Sequence, residues 1–242
     1  MNCIPQRLEI KALKIRYFIY LKDFWFKNED AAHQASIYVK LFLADANGEK
    51  FTSSAGYEIT KEKIRNLLEP NTWLCDQIVN TSIENIQFDE SLIQLTDSFF
   101  YSELISPNRR LSLTKWQAII NTCRTWVMPV NFDHHWSLII LKNEKNRIDI
   151  ACWDSLPTKL RLDKIKMQLL SSFEKNSMEA KAFSFSYNDD CYIQCDHNNC
   201  GIFLIGNIFA FLHNKNPCNL DLQNSRIAIA RMILSSIHLT IN

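Results

Sequence analysis

HWSLIILKNEKNRIDIACWDS, residues 135–155, reads as two apolar runs around a polar turn. HWSLIIL (135–141) and RIDIACWDS (147–155) have strand length and strand composition, and KNEKN between them is turn-like. Two strands joined this way pair as an antiparallel hairpin, which sets the start of the first beside the end of the second. The residues at those two ends are His135 and Asp154. The hairpin therefore predicts an imidazole next to a carboxylate at one end of a sheet.

Working outward, WVMPVNF (126–132) and AFSFSYN (182–188) supply two more strands. Helical spacing marks 76–86, 112–126 (behind a Ser or Thr cap), 162–175 and 222–239. EITKEKIRNLLEP (58–70) reads as a short helix stopped at Pro70, and ADANGEKFTSSAG (44–56) as a loop. Residues 9–27 mix aromatic and basic side chains and read as a packed helix or strand, or as a surface for a partner. Strands in the middle with helices around them make an α+β or α/β domain. Downstream, QCDHNNCGIFLIGNIFAFL (194–212) changes from polar to almost wholly apolar at Cys200. The apolar part, 200–212, predicts a helix buried on nearly all sides, with Cys200 at its N-terminus. There the helix dipole and unpaired N–H groups favour a thiolate.

The composition sets bounds on this reading. At 242 residues the chain suits one main domain, residues 66–242, behind an N-terminal extension, residues 1–65. An apolar fraction of 47% is enough for a sizeable core. A net charge of +1 gives no global field for nucleic acid or a membrane surface. No apolar run reaches the roughly 18 residues of a bilayer span. The first 24 residues carry charges throughout, so a secretory signal is not expected. The eight cysteines are accordingly expected as reduced thiols, mostly buried.

Three chemistries compete for Cys200. Cys191, Cys195, His197 and Cys200 have zinc-binding side chains, but C-x3-C-x-H-x2-C is not a usual finger spacing, so no metal or other cofactor is expected. A buried structural thiol is the plain alternative. The third reading is a nucleophile. His135 would take the thiol proton and later protonate the leaving group, and Asp154 would orient the imidazole. The Cys200 backbone N–H and the Gln194 side-chain amide are candidate oxyanion donors.

HHWSLIIL, IACWDSLP and QCDHNNCGIFLI together resemble the ubiquitin-like-protein-specific cysteine proteases of clan CE. These are the SUMO proteases, deneddylases and bacterial effector deubiquitinases. The family order is His-Trp, a strand, a second strand ending in Asp-Ser, then Gln, five residues and Cys-Gly. Here those positions are His135-Trp136, Asp154-Ser155, Gln194 and Cys200-Gly201. NTWLCDQIVN (71–80) is similar to the family's Trp-Leu-Asn-Asp segment. The resemblance implies a papain-related α+β core with a central mixed sheet flanked by helices. It also implies a catalytic His135, Asp154 and Cys200 with Gln194 at the oxyanion, and a Trp73/Trp136 tunnel for a Gly-Gly tail. His134 is then a neighbour of the base. The sequence departs from the family at Asn199, where the pattern has Asp before the nucleophile, and at Cys75, where Trp-Leu-Asn-Asp becomes Trp-Leu-Cys-Asp.

The implied partner is ubiquitin or a ubiquitin-like modifier with its conjugates, met by a monomer. An acetyltransferase using a Cys acyl intermediate on the same scaffold is the alternative, and an inactive modifier-binding relative is a third. Residues 1–65 have no counterpart in the pattern and are assigned to gripping the modifier. Usage rich in Ile, Asn and Lys fits an AT-rich genome and points to a bacterial effector secreted into a host cell, otherwise to a cytoplasmic enzyme.

Overall fold

The computed structural model describes residues 29–44, 50–122, 124–144, 146–176, 182–188, 191–214 and 222–238. The aromatic–basic stretch 9–27 lies outside them. The chain forms two compact units, Met1–Gln87 with Asn219–Asn242, and Phe88–Cys218.

In the first unit, α1 (Glu29–Ala44), α2 (Lys61–Leu68) and α3 (Asp76–Glu84) pack on the C-terminal helix α8 (Leu222–His238). The expected loop 44–56 contains a strand, β1 (Lys50–Thr52), paired antiparallel with β2 (Glu58–Thr60). Gly56, at φ +89°, supplies the left-handed residue of the turn between them. The helix expected over 58–70 therefore starts only at Lys61, where Thr60 Oγ1 caps the Lys63 N–H. It ends at Leu68, because a residue before proline disfavours helical geometry and Pro70 follows Glu69.

The second unit holds a five-stranded mixed sheet in the order β3-β4-β5-β6-β7. Its strands are β3 (Ile93–Leu95), β4 (Thr125–Phe132), β5 (His135–Asn143), β6 (Arg147–Trp153) and β7 (Ala182–Tyr187). β4, β5 and β6 are antiparallel neighbours, while β3 and β7 add in parallel at the edges. The hairpin read at 135–155 is the β5–β6 pair.

One face of the sheet presents Met128, Ile139, Leu141, Ile150 and Cys152 to a core shared with α4 (Phe100–Leu104), α5 (Arg109–Ile120) and α6 (Lys159–Lys175). Against β5 also packs α7 (Cys200–Leu212), whose Phe211 meets Trp153 edge-on. Covering both faces explains why HWSLIIL does not alternate: apolar residues are needed on each side. Every residue of α7 from Cys200 to Ala210 is buried, as its all-round apolar sequence requires.

The helix expected over 112–126 begins earlier and stops sooner. Asn108 caps it, not Ser112 or Thr114, and Ser112 Oγ turns inward to the Leu104 carbonyl at 2.6 Å. Trp126 belongs to β4, where pairing with Leu141 outweighs its helical spacing. Among the described residues no helix is long and apolar enough to cross a membrane.

Candidate active site

His135 opens β5, and Asp154 directly follows β6. The ladder pairs Leu138 with Trp153. One further step puts Ser137 opposite Asp154, and His135, two residues on, shares that face. His135 Nε2 lies 2.7 Å from Asp154 Oδ1. An ionised carboxylate only accepts, so Nε2 carries the proton and Nδ1 is the basic nitrogen of the neutral ring. The Cys200 thiol hydrogen-bonds the same imidazole.

Phe132 pairs with His135, so Asp133 and His134 alone make the β4–β5 turn. Both are left-handed, at φ 55° and 56°. That is the type I′ geometry whose twist suits a hairpin. It exposes His134 and turns His135 inward, where it is buried.

Asp154 is held by more donors than His135 alone. Ser137 Oγ reaches Oδ2 at 3.2 Å, and the Leu156 N–H reaches Oδ1 at 2.8 Å. Arg161, in the first turn of α6, brings Nε and Nη2 to Oδ2, each at 3.1 Å. Nη2 also donates to the Leu156 carbonyl. Burial alone would raise the Asp154 pKa, but the bond from His135, the Leu156 N–H and the Arg161 charge together hold it below the usual carboxylate value. Burial likewise disfavours the imidazolium of His135, yet the bonds to Asp154 and Cys200 outweigh it and its pKa is raised. The Arg161 charge works against that rise.

The loop before α7 is stitched to the end of β6. Cys191 Sγ donates to the Asp154 carbonyl at 3.3 Å, and the Gln194 N–H to the Ser155 carbonyl at 2.8 Å. Ser155 Oγ donates to Gln194 Oε1 at 2.7 Å. Gln194 Nε2 donates to the Asp196 carbonyl at 2.7 Å. A carbonyl cannot donate, so these partners set which way round the amide sits, and one N–H of its NH2 group faces Asp196. Among the described residues no three of His, Cys, Asp or Glu are grouped to hold a metal ion.

His135, Asp154, Cys200 and Gln194 thus converge within the second unit. Trp136, next to His135, is only 3% exposed. Trp73 lies in the first unit between α2 and α3 and is 52% exposed. The sequence reading missed Ser137, Arg161, Ser155 and Asp196 as partners, and it weighed Cys191 only as a zinc-binding side chain. Arg161 left a signal. It sits four residues before Ile165 and eight before Leu169, a cation on the apolar stripe of an amphipathic helix.

Several solved structures share this fold. The C-terminal Ulp1 protease domain in complex with Smt3, the yeast ortholog of SUMO, is 23% identical, with 87% of this chain and 96% of that chain covered at a TM-score of 0.63. The Ulp1-like SUMO protease catalytic domain of Chaetomium thermophilum is 16% identical, with 88% and 90% covered at 0.57. The Xanthomonas campestris effector protein XopD bound to ubiquitin is 14% identical, with 67% and 92% covered at 0.53. No curated protein matches the chain. The model of the Ulp1 protease family, C-terminal catalytic domain, matches residues 72–240. The chain belongs to the Ulp1 protease family of cysteine proteases.

Proposed function

We propose that the chain hydrolyses the peptide or isopeptide bond after the C-terminal Gly-Gly of ubiquitin or a ubiquitin-like modifier. The observation that carries this reading is one buried imidazole bonded to Asp154 Oδ1 at 2.7 Å and to the Cys200 thiol. Cys200 Sγ attacks the scissile carbonyl as its proton passes to His135 Nδ1. The Cys200 N–H and the second N–H of the Gln194 amide receive the developing oxyanion. His135 then gives its proton to the leaving amine as the C–N bond breaks and the thioester remains. It next takes a proton from water, whose oxygen attacks the thioester. The thiol and the modifier's carboxylate are released.

The SUMO-ortholog and ubiquitin complexes among the similar structures support the substrate class without choosing a modifier. Trp73 and Trp136 are assigned to the Gly-Gly tail, each on the motif it matches. The composition, together with the likeness to an effector, supports a bacterial effector acting in a host cell.

C-terminally electrophilic ubiquitin, SUMO and neddylation-modifier probes test the assignment. An adduct at Cys200 with one of them identifies the modifier, and no adduct with any of the three sinks the reading. Cys200→Ala is expected to lower turnover by about 10⁴-fold or more while modifier binding persists. Unchanged turnover would remove Cys200 from the chemistry.

A further inference from the structure

The residue preceding the nucleophile is Asn199, and its side chain does not cap α7 although it occupies the cap position. It turns back instead, with Nδ2 donating to Asp196 Oδ2 at 3.0 Å. The other oxygen of that carboxylate, Oδ1, accepts the N–H groups of Asn198 at 2.8 Å and Asn199 at 2.9 Å. The main-chain carbonyl of Asp196 holds Gln194 Nε2 at 2.7 Å. One residue thus grips, through different groups, the oxyanion amide on one side and the cap of the nucleophile's helix on the other. An Asn side chain that capped α7 would place its own oxygen on N–H groups at the helix start. Drawing Asn199 towards Asp196 instead ties the residue before Cys200 to the loop that carries Gln194.

We propose that Asp196 is a positioning residue that sets Gln194 and Cys200 relative to one another through its pairing with Asn199. The proposal rests on the protease reading for the roles of those two residues. It also accounts for the departure from the family pattern. A carboxylate at 199 would face the carboxylate of Asp196, so Asn at 199 and Asp at 196 form one reciprocal unit.

The pair is tested by exchange. Asp196→Asn removes the charged acceptor of the Asn199 amide, and Asn199→Asp sets two carboxylates against each other. The double variant restores the bond with its direction reversed and with the net charge unchanged. Turnover is read with aminomethylcoumarin-linked ubiquitin and SUMO. The rate of iodoacetamide modification at Cys200, located by peptide mass spectrometry, is read without any modifier.

Each single variant is expected to lose about tenfold in kcat and in alkylation rate, with KM little changed. The Asn199→Asp loss should shrink as pH falls and one carboxylate takes a proton. The double variant should exceed the product of the two single effects by about tenfold or more. Additive effects in the alkylation rate, or a double variant no better than the worse single one, overturn the role of Asp196. If the wild type hydrolyses neither substrate while alkylation still shows the coupling, the protease reading fails and the positioning role stands.

Discussion

Among the described residues two arginines are buried, one in each unit, and they do different work. Arg226, on α8, sends Nη1 to the Leu67 carbonyl at 2.7 Å and to Thr72 Oγ1 at 3.2 Å, and Nη2 to the Thr72 carbonyl at 2.8 Å. Those oxygens belong to the end of α2 and the segment after it, so the guanidinium closes a chain turn just before Trp73. Arg161 is spent on the Asp154 carboxylate, two bonds away from His135. A cation bonded to neutral oxygens stabilises a shape. A cation on the carboxylate of the proposed triad also sets a titration, because it competes with the imidazolium for the same negative charge.

Asp154→Asn is the harshest test of that distinction, since it removes the anion on which Arg161 and His135 converge. Turnover should fall by about 10²- to 10⁴-fold. The bond from Asp154 helps raise the His135 pKa. Without it the ring takes up its proton only at lower pH, so the acid limb of the kcat/KM profile, which reports the neutral base in the free enzyme, moves down. A limb that stays in place would show that Asp154 does not tune the ring. The linkage runs in both directions for the wild type. The lowered Asp154 pKa contributes stability that is lost as pH falls through its folded value. The raised His135 pKa contributes stability that is lost as pH rises through its folded value. Thermal unfolding followed across pH should therefore show the pair's contribution between these two limits.

Arg226→Met should cost about 3 kcal/mol of stability, because buried oxygens lose their donors. The pH profile of whatever enzyme remains folded should keep its shape. Arg161→Met should cost less, about 2 kcal/mol, since Asp154 keeps Ser137, Leu156 and His135 as donors. Its signature is the profile. Loss of a charge that lowers the His135 pKa moves the acid limb to higher pH, opposite in sign to Asp154→Asn. If the Arg161 and Arg226 variants change the profile alike, the contrast between them collapses.

The smallest effect is expected at the β4–β5 turn. Replacing Asp133-His134 by Asn-Gly supplies residues that favour the left-handed geometry and should raise stability by about 1 kcal/mol in denaturant titration. Turnover should be retained, because His134 lies outside the site; a large loss would give His134 a part in the reaction.

The residues on which the chemistry is proposed to depend were legible because each sits at a boundary that local pattern reveals. His135 starts an apolar strand, Asp154 ends one, and Cys200 is where polar loop becomes apolar helix. A two-residue periodicity and a hairpin suffice to bring the first two together, and an all-round apolar helix suffices to bury the third.

What supports those residues was not legible, because its partners are distant in sequence or disguised by it. Arg161 shows in sequence only as a cation on an apolar stripe, and its partner Asp154 became known only from the fold. Ser155 and Gln194 are 39 residues apart, and no local rule pairs them. Only the folded loop shows the two oxygens of Asp196 divided among Asn198 and Asn199. The strand inside 44–56 was hidden because a three-residue strand has no periodicity to read. The placing of α8 with α1, α2 and α3 depends on long-range packing, which no window of sequence contains. Sequence alone determined which groups stand at the ends of the apolar elements, since burial periodicity is local. Tertiary structure decided which donors and charges surround them, since hydrogen bonds and fields act through space between segments that the chain brings together only on folding.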